Sequence, residues 1–195
     1  MTARVALVEE ERGLFNRLAF WFARRRFNGK VPAPLKALVH NRRVLMAVGG
    51  FELAIEGAKA IDHRTKFLVS LRVAQVVGCH FCLDIGTALG RGAGIDEEQL
   101  SNLDEYATHS AFDDRLRIAL DLATAMTVTP PCATDEMFAR ARTHFDEAGL
   151  VELCSMIAWE NYRARFNHTL ALPADGYSEG SYCVAAASLP VAALH

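Results

Sequence analysis

The sequence predicts an all-α fold. Three observations carry that expectation. Apolar residues recur at intervals of three and four along most of the 195 residues. Alternation with a period of two, bounded by turn residues, is hard to find. Asp, Thr, Gly and Pro fall where such helices would start and stop. The length suits one domain with a substantial core, and no internal repeat or low-complexity linker divides it.

The elements follow in order. A first helix is expected from about Glu10 to Phe27, with Leu14, Leu18, Trp21 and Phe22 on one stripe, packed inward or against another subunit. Asn28-Gly29 ends it, and Pro32 and Pro34 keep the next residues extended. Pro34 opens a short helix through His40, and another runs from about Arg42 to Ala58. Gly49-Gly50 weakens that helix or lets a neighbour approach closely. Asp62 caps a helix from about Arg64 to Val77. Gly78 breaks it, and a new helix starts at Cys79 and continues to about Arg91. Asp96 with Gln99 fits a capping-box variant opening a short helix to about Ala107. The stretch Asp113 to Met126 is amphipathic, with Leu116, Ala119, Leu120 and Ala123 inward, and Pro130-Pro131 terminates it. Thr134 caps a helix through His144. Gly149 lies near the start of the last long helix, which reaches about Leu172. Gly176, Ser178, Gly180 and Ser181 then mark a loop, and the Ala-rich end is either mobile or packed on another subunit. The chain divides into an N-terminal helical extension (1–34), a helical domain (35–172) and a C-terminal loop and tail (173–195).

Composition narrows the function. Hydrophobic residues make up 51%, which leaves apolar surface for a subunit interface, and a homo-oligomer is expected. The net charge of −2 gives no general attraction to nucleic acid or an anionic membrane, and neither is expected as a partner. Charges interrupt every apolar run short of a membrane span. The start, Met1-Thr2-Ala3-Arg4 and then Glu9-Glu10-Glu11, is unlike a signal peptide, so a cytoplasmic location is expected. The five cysteines, Cys79, Cys82, Cys132, Cys154 and Cys183, are odd in number and show no disulfide framework. Cys132, Cys154 and Cys183 read as structural, with Cys183 the most open to oxidation.

Cys79-His80-Phe81-Cys82 carries the chemistry. Two cysteines three apart at a helix start lie on one side of the first turn, close enough to form a disulfide without moving the fold. Unpaired backbone N–H groups and the helix dipole there favour a thiolate, the species that attacks a peroxide or disulfide. One thiol of such a pair attacks and the other resolves. Two blander readings stand beside this one: zinc binding, although no second CxxC or HxxxH supplies further ligands, and two buried cysteines packing as small hydrophobes. His80 can shift protons at neutral pH or simply point to solvent. Asp84 is a proton-relay candidate, or else it caps the helix or pairs with an arginine. His109, His144 and His168 lack metal-ligand spacing, and no metal or cofactor is expected. Arg24-Arg25-Arg26 beside Trp21 and Phe22 favours a helix C-terminus over a membrane contact. Glu160, Asn161, Arg165 and Asn167 form a polar run, either structural or lining the cysteine pocket. Asn161 and Arg165 are spaced to meet.

The run from Leu71 to Gly86, LRVAQVVGCHFCLDIG, resembles the signature of the carboxymuconolactone decarboxylase superfamily, and more specifically its alkylhydroperoxidase AhpD-like branch. Gly94 to Leu100, Asp113 to Leu120 and Ile157 to Asn167 resemble its later segments, so the likeness covers roughly 35–172. It implies an AhpD-like helical domain that assembles into oligomers. It also implies that Cys82 attacks peroxide, that Cys79 resolves the sulfenic acid as a disulfide, and that an external thiol restores the pair. The branch's pattern places a histidine four residues after the second cysteine and a glutamate upstream. Here those positions hold Gly86 and, at or near it, Phe67, with Lys66 beside it. The usual proton relay is therefore absent, and a substitute must come from His80, Asp84, Glu160 or a neighbouring subunit. The function expected is a cofactor-free thiol peroxidase or thiol–disulfide oxidoreductase acting on a hydroperoxide or disulfide. A redox-responsive oligomer without turnover and a cysteine-independent lyase of the decarboxylase type are the alternatives.

Overall fold

The computed structural model describes residues 2–10, 13–179 and 184–185. Among them the chain is helical throughout, with α1 (Gly13–Arg26), α2 (Ala33–Leu38), α3 (Arg42–Gly57), α4 (His63–Val77), α5 (His80–Gly92), α6 (Glu97–Ser101), α7 (Asp114–Thr127), α8 (Asp135–Ala141) and α9 (Glu147–Thr169). A 3₁₀ turn at Leu103–Glu105 follows α6. No helix among the described residues is long and apolar enough to cross a membrane.

Side-chain caps set most of the helix starts. Asp62, Asp96 and Thr134 accept the backbone N–H three residues on, as the sequence predicts, and Asn41, Asp113 and Asp146 do the same. Each such cap is worth about 1 kcal/mol. The expected capping box at Asp96 does not close. Gln99 turns inward instead, donating to the Ala111 carbonyl at 2.8 Å and accepting from Arg64 Nε at 2.8 Å. A buried amide must find its partners where the packing places them, and here those are the α6–α7 loop and α4.

The centre of the molecule is α4, buried from Thr65 to Gln75 on nearly every face and packed against α5, α7 and α9. A helix covered all round is core rather than surface. Its two buried cations are therefore both engaged. Lys66 meets Glu152 of α9 at 2.7 Å, and Arg72 donates to Thr124 at 2.9 Å and lies over the Tyr106 ring. The α7 residues Leu116, Ala119, Leu120 and Ala123 close the core opposite, as their spacing predicts.

Of the two placements expected for the apolar stripe of α1, packing inward within this chain is not the one observed. On α1 the residues turned inward are Phe20 and Ala23, while Leu14, Leu18, Trp21 and Phe22 are all more than half exposed. The helix is anchored to α3 by Arg26 on Glu56 and by Arg42 over the Phe15 ring. Those contacts fix its rotation and leave the predicted stripe outside. Gly49 and Gly50 have open space above them, with no close neighbour among the described residues.

Candidate functional site

The site is built on the turn between α4 and α5. Gly78 takes a left-handed conformation (φ +75°), which favours glycine. The reversal lets the N–H groups of Gly78 and Cys79 both reach the Ala74 carbonyl, at 2.9 and 3.0 Å. Cys79 then becomes the N-cap of α5, its sulfur accepting the Cys82 N–H at 3.2 Å. The two cysteines are joined as a disulfide with their Cα atoms 5.3 Å apart, and both are buried.

Beside the pair lies a cavity of about 1070 Å³, open to solvent on one side, bordered by α1, α2, α3, α4, α5 and α9 and walled mainly by apolar side chains. Cys82 opens onto it, with Phe81, Ile85 and Gly86 of the same helix. Cys79 instead caps the turn. From α9, the buried Asn167 Nδ2 donates to Cys82 Sγ at 3.3 Å. A donated hydrogen bond favours the charged form of an acceptor such as a thiolate. The N-terminal extension supplies a wall of this cavity through Phe15, Ala19 and Ala23.

The two predicted relay residues sit differently. His80 is exposed on the outer face of α5 and does not line the cavity. Asp84 is buried and neither caps the helix nor pairs with an arginine. Its carboxylate accepts Tyr177 N at 2.9 Å, Ser178 N at 2.8 Å and Ser178 Oγ at 2.7 Å, tying the segment after α9 onto α5. Burial raises the Asp84 pKa, but the Ser178 hydroxyl and the Tyr177, Ser178 and Gly176 amides outweigh it and hold the carboxyl below its ordinary value. At neutral pH Asp84 is an ionised acceptor. Of the predicted loop and tail, Gly180, Ser181, Cys183 and the Ala-rich end beyond Ala185 lie outside the described residues; Val184 is buried with its N–H on Thr87 Oγ at 3.3 Å, and the Ala185 carbonyl accepts from Gln75 at 3.1 Å.

The family's histidine position is crowded on its α4 side. A Cβ on Gly86 would lie 3.0 Å from Leu71 Cδ2 of α4. At the glutamate position, Phe67 lines the cavity, and Lys66 is held by Glu152 and the carbonyls of Ile55 and Ala58.

The polar run of α9 divides. Asn161 and Arg165 are structural: they bond each other at 3.3 Å and tie α9 to Thr127 at the end of α7. Glu160 and Asn167 face the cavity, with Arg163 between them. Arg163 binds Glu160 and, at 2.6 Å, Glu52 of α3. Burial lifts the Glu160 carboxyl above its ordinary value against the pull of Arg163. Sequence reading did not single out Glu52 or Ser70. Ser70 is 8% exposed and lines the cavity, while its Oγ, itself closed off from solvent, has no hydrogen-bond partner among the described residues. Leaving a buried hydroxyl unpaired costs about 1–3 kcal/mol. The one signal for it in the sequence is a lone polar residue inside the apolar run Phe67-Leu68-Val69-Ser70-Leu71.

The remaining thiols stand apart. Cys154 is half-buried, and burial pushes its thiol up. Cys132 is exposed after α7, which corrects its reading as a structural, packed cysteine.

Residues 41–127 match the carboxymuconolactone decarboxylase family. The chain is 32% identical to the uncharacterised YnjA protein of Escherichia coli K12, over 80% of this chain and 86% of that one. A peroxidase-related protein from a Silicibacter species superposes with a TM-score of 0.82 over 92% of this chain and 95% of that one, at 18% identity. The debrominase Bmp8, in a complex with 2,3,4-tribromopyrrole, superposes with a TM-score of 0.81 over 91% and 94%, at 17% identity. At these identities the superpositions speak for the fold alone.

Proposed function

This chain belongs to the carboxymuconolactone decarboxylase family, and on that premise we propose that it is of the AhpD-like kind, a cofactor-free thiol peroxidase that reduces an organic hydroperoxide at Cys82. One observation carries the reading: of the two paired sulfurs, Cys82 opens onto a large apolar cavity and is met there by the Asn167 amide. The cavity suits an organic molecule rather than hydrogen peroxide.

In the reduced protein, the Cys82 thiolate attacks the terminal oxygen of ROOH. The S–O bond forms, the O–O bond breaks, and sulfur is oxidised to the sulfenic acid while RO⁻ leaves and takes up the proton that the thiol gave to solvent on ionising, becoming ROH. Cys79, one turn away, attacks that sulfur and expels water, closing the disulfide that the structure holds. An external thiol then returns two electrons and two protons to the pair. Self-assembly belongs to this reading, with the exposed apolar side chains of α1 and α3 as the surface a second copy covers. Light scattering on the purified chain tests that part.

The central test is thiol-dependent consumption of cumene hydroperoxide. Cys82→Ser abolishes it. Cys79→Ser prevents the intramolecular disulfide and leaves a sulfenic acid that dimedone traps. Unchanged turnover in Cys82→Ser sinks the reading and favours the cysteine-independent lyase.

The cavity's apolar lining and width also favour a second reaction of the same dithiol. A haloaromatic ring fits there, and a dithiol can convert Ar–Br to Ar–H, releasing bromide and a proton as the disulfide forms. Bromide release from tribromopyrrole, dependent on Cys82, tests it.

A further inference from the structure

We infer that the hydroxyl of Ser70 donates the hydrogen bond to the leaving oxygen of the hydroperoxide, in place of the side chain that Gly86 lacks. The inference rests on the thiol-peroxidase reading and names a further catalytic residue within it.

Placement is the first support. The chain reverses at Gly78, so α4 and α5 run back along each other, and Leu71 packs directly on Gly86. Ser70 therefore lies at the level of Gly86, about one helical turn beyond Cys82. It shares the cavity with Cys82 and belongs to the stripe of α4 that faces it, with Lys66, Phe67 and Leu71.

The state of the hydroxyl is the second. A buried serine or threonine within a helix usually donates to the carbonyl four residues back. Thr124 and Thr127 do so, to Leu120 at 2.9 Å and Ala123 at 2.6 Å. Ser70 does not: its Oγ has no partner among the described residues and is itself closed off from solvent, so a turn about χ1 brings the free hydroxyl into the cavity. Of the other polar groups lining the cavity, Glu160 is held by Arg163, Lys66 by Glu152 and Asn167 by Cys82, while Arg163 keeps a buried Nε without a partner and lies four residues, about 6 Å along α9, from Asn167. Glu160 is also seven residues, about 10 Å along α9, from the asparagine that touches the sulfur.

The chemistry needs such a donor. As Cys82 takes the terminal oxygen, the departing RO⁻ develops negative charge in an apolar site, where an aimed O–H is most effective. Ser70 holds that oxygen through its O–H while the proton that Cys82 gave up to solvent on ionising returns to it, so that thiol plus ROOH gives sulfenic acid plus ROH.

Single-turnover oxidation of Cys82 in the reduced full-length chain tests this, with two oxidants compared. Tert-butyl hydroperoxide expels an alkoxide that needs a donor. Peracetic acid expels a carboxylate that does not. Ser70→Ala is expected to slow the first reaction by about tenfold or more and the second by less than about twofold. Ser70→Thr keeps the hydroxyl and retains both rates. Deleting an unpaired hydroxyl leaves the melting temperature unchanged or raised, so loss of folding does not confuse the result. Equal rates for Ser70→Ala and wild type, or equal slowing with both oxidants, overturn the assignment of Ser70. A wild-type chain whose Cys82 is oxidised by neither reagent overturns the peroxidase reading beneath it.

Discussion

Asn167 Nδ2 donates to Cys82 Sγ at 3.3 Å across the interface of α9 and α5, with both side chains buried. A hydrogen bond to a charged group is worth about 1.5–3 kcal/mol. One pKa unit corresponds to about 1.4 kcal/mol. Asn167→Leu, which keeps the volume and removes the donor, should therefore raise the Cys82 pKa by about 1–2 units. Alkylation of the reduced protein against pH measures it. An unchanged midpoint would mean that the amide serves the disulfide form alone.

Gly86 and Leu71 set the second prediction. A Cβ at Gly86 meets only the far end of a flexible leucine. Gly86→Ala should be close to neutral, since alanine gains about 1 kcal/mol of helix propensity against that tight contact. Gly86→His asks for a ring in the same space and should cost about 1–3 kcal/mol. Trimming the neighbour in Leu71→Ala/Gly86→His should cost less than the two changes summed. Denaturant melts of the four proteins check it. If Gly86→His is as stable as wild type, packing does not exclude the histidine.

The pair Gly86 and Asp84 also marks how far the sequence could be read. Helix order, half of the side-chain caps and the Gly78 break follow from local chemistry, because a cap or a left-handed glycine acts within four residues. The cysteine pair is legible for the same reason. Partners distant in the chain are not. Asp84 reads as a relay or cap because nothing local reveals Ser178, ninety-four residues on. The α1 stripe reads as amphipathic because periodicity gives a face but not the direction in which tertiary contacts turn it. Ser70 is silent because its distinguishing feature is a bond not made.

Asp84 gives the third prediction. Asp84→Ala removes the acceptor for two amides and a hydroxyl, leaving buried donors unpaired, and should destabilise by about 2–4 kcal/mol. Proteolysis near residues 173–178 should quicken before global unfolding. The sign with pH follows from the depressed carboxyl. The stabilisation is complete above the unfolded value near 3.8 and fades as pH falls through the lower folded value. Asp84→Asn should therefore flatten stability against pH below about pH 4. If the variant tracks wild type down to pH 2, the carboxylate is not the clasp. Because Asp84 stays ionised at neutral pH, the hydroperoxide rate of folded Asp84→Asn should stay close to that of wild type.

Lys66 and Glu152 carry the last. Their side chains are 5% and 7% exposed and meet at 2.7 Å. Lys66 also donates to the carbonyls of Ile55 at 3.0 Å and Ala58 at 2.6 Å, and Glu152 accepts the Ala60 amide at 2.6 Å. The pair thus pins the α3–α4 connection to α9 and fixes the rotation of α4, whose cavity stripe includes Phe67 and Ser70. Lys66→Met strands a buried carboxylate and should cost about 3–5 kcal/mol, or roughly 10 °C in a chain of this size. Glu152→Met strands a buried ammonium at similar cost. The double variant loses the pair without an orphaned charge, so it should be far less destabilised than the sum. It should not return to wild type, because the three backbone groups remain unpaired. Strict additivity in that cycle would show that the two charges do not act together.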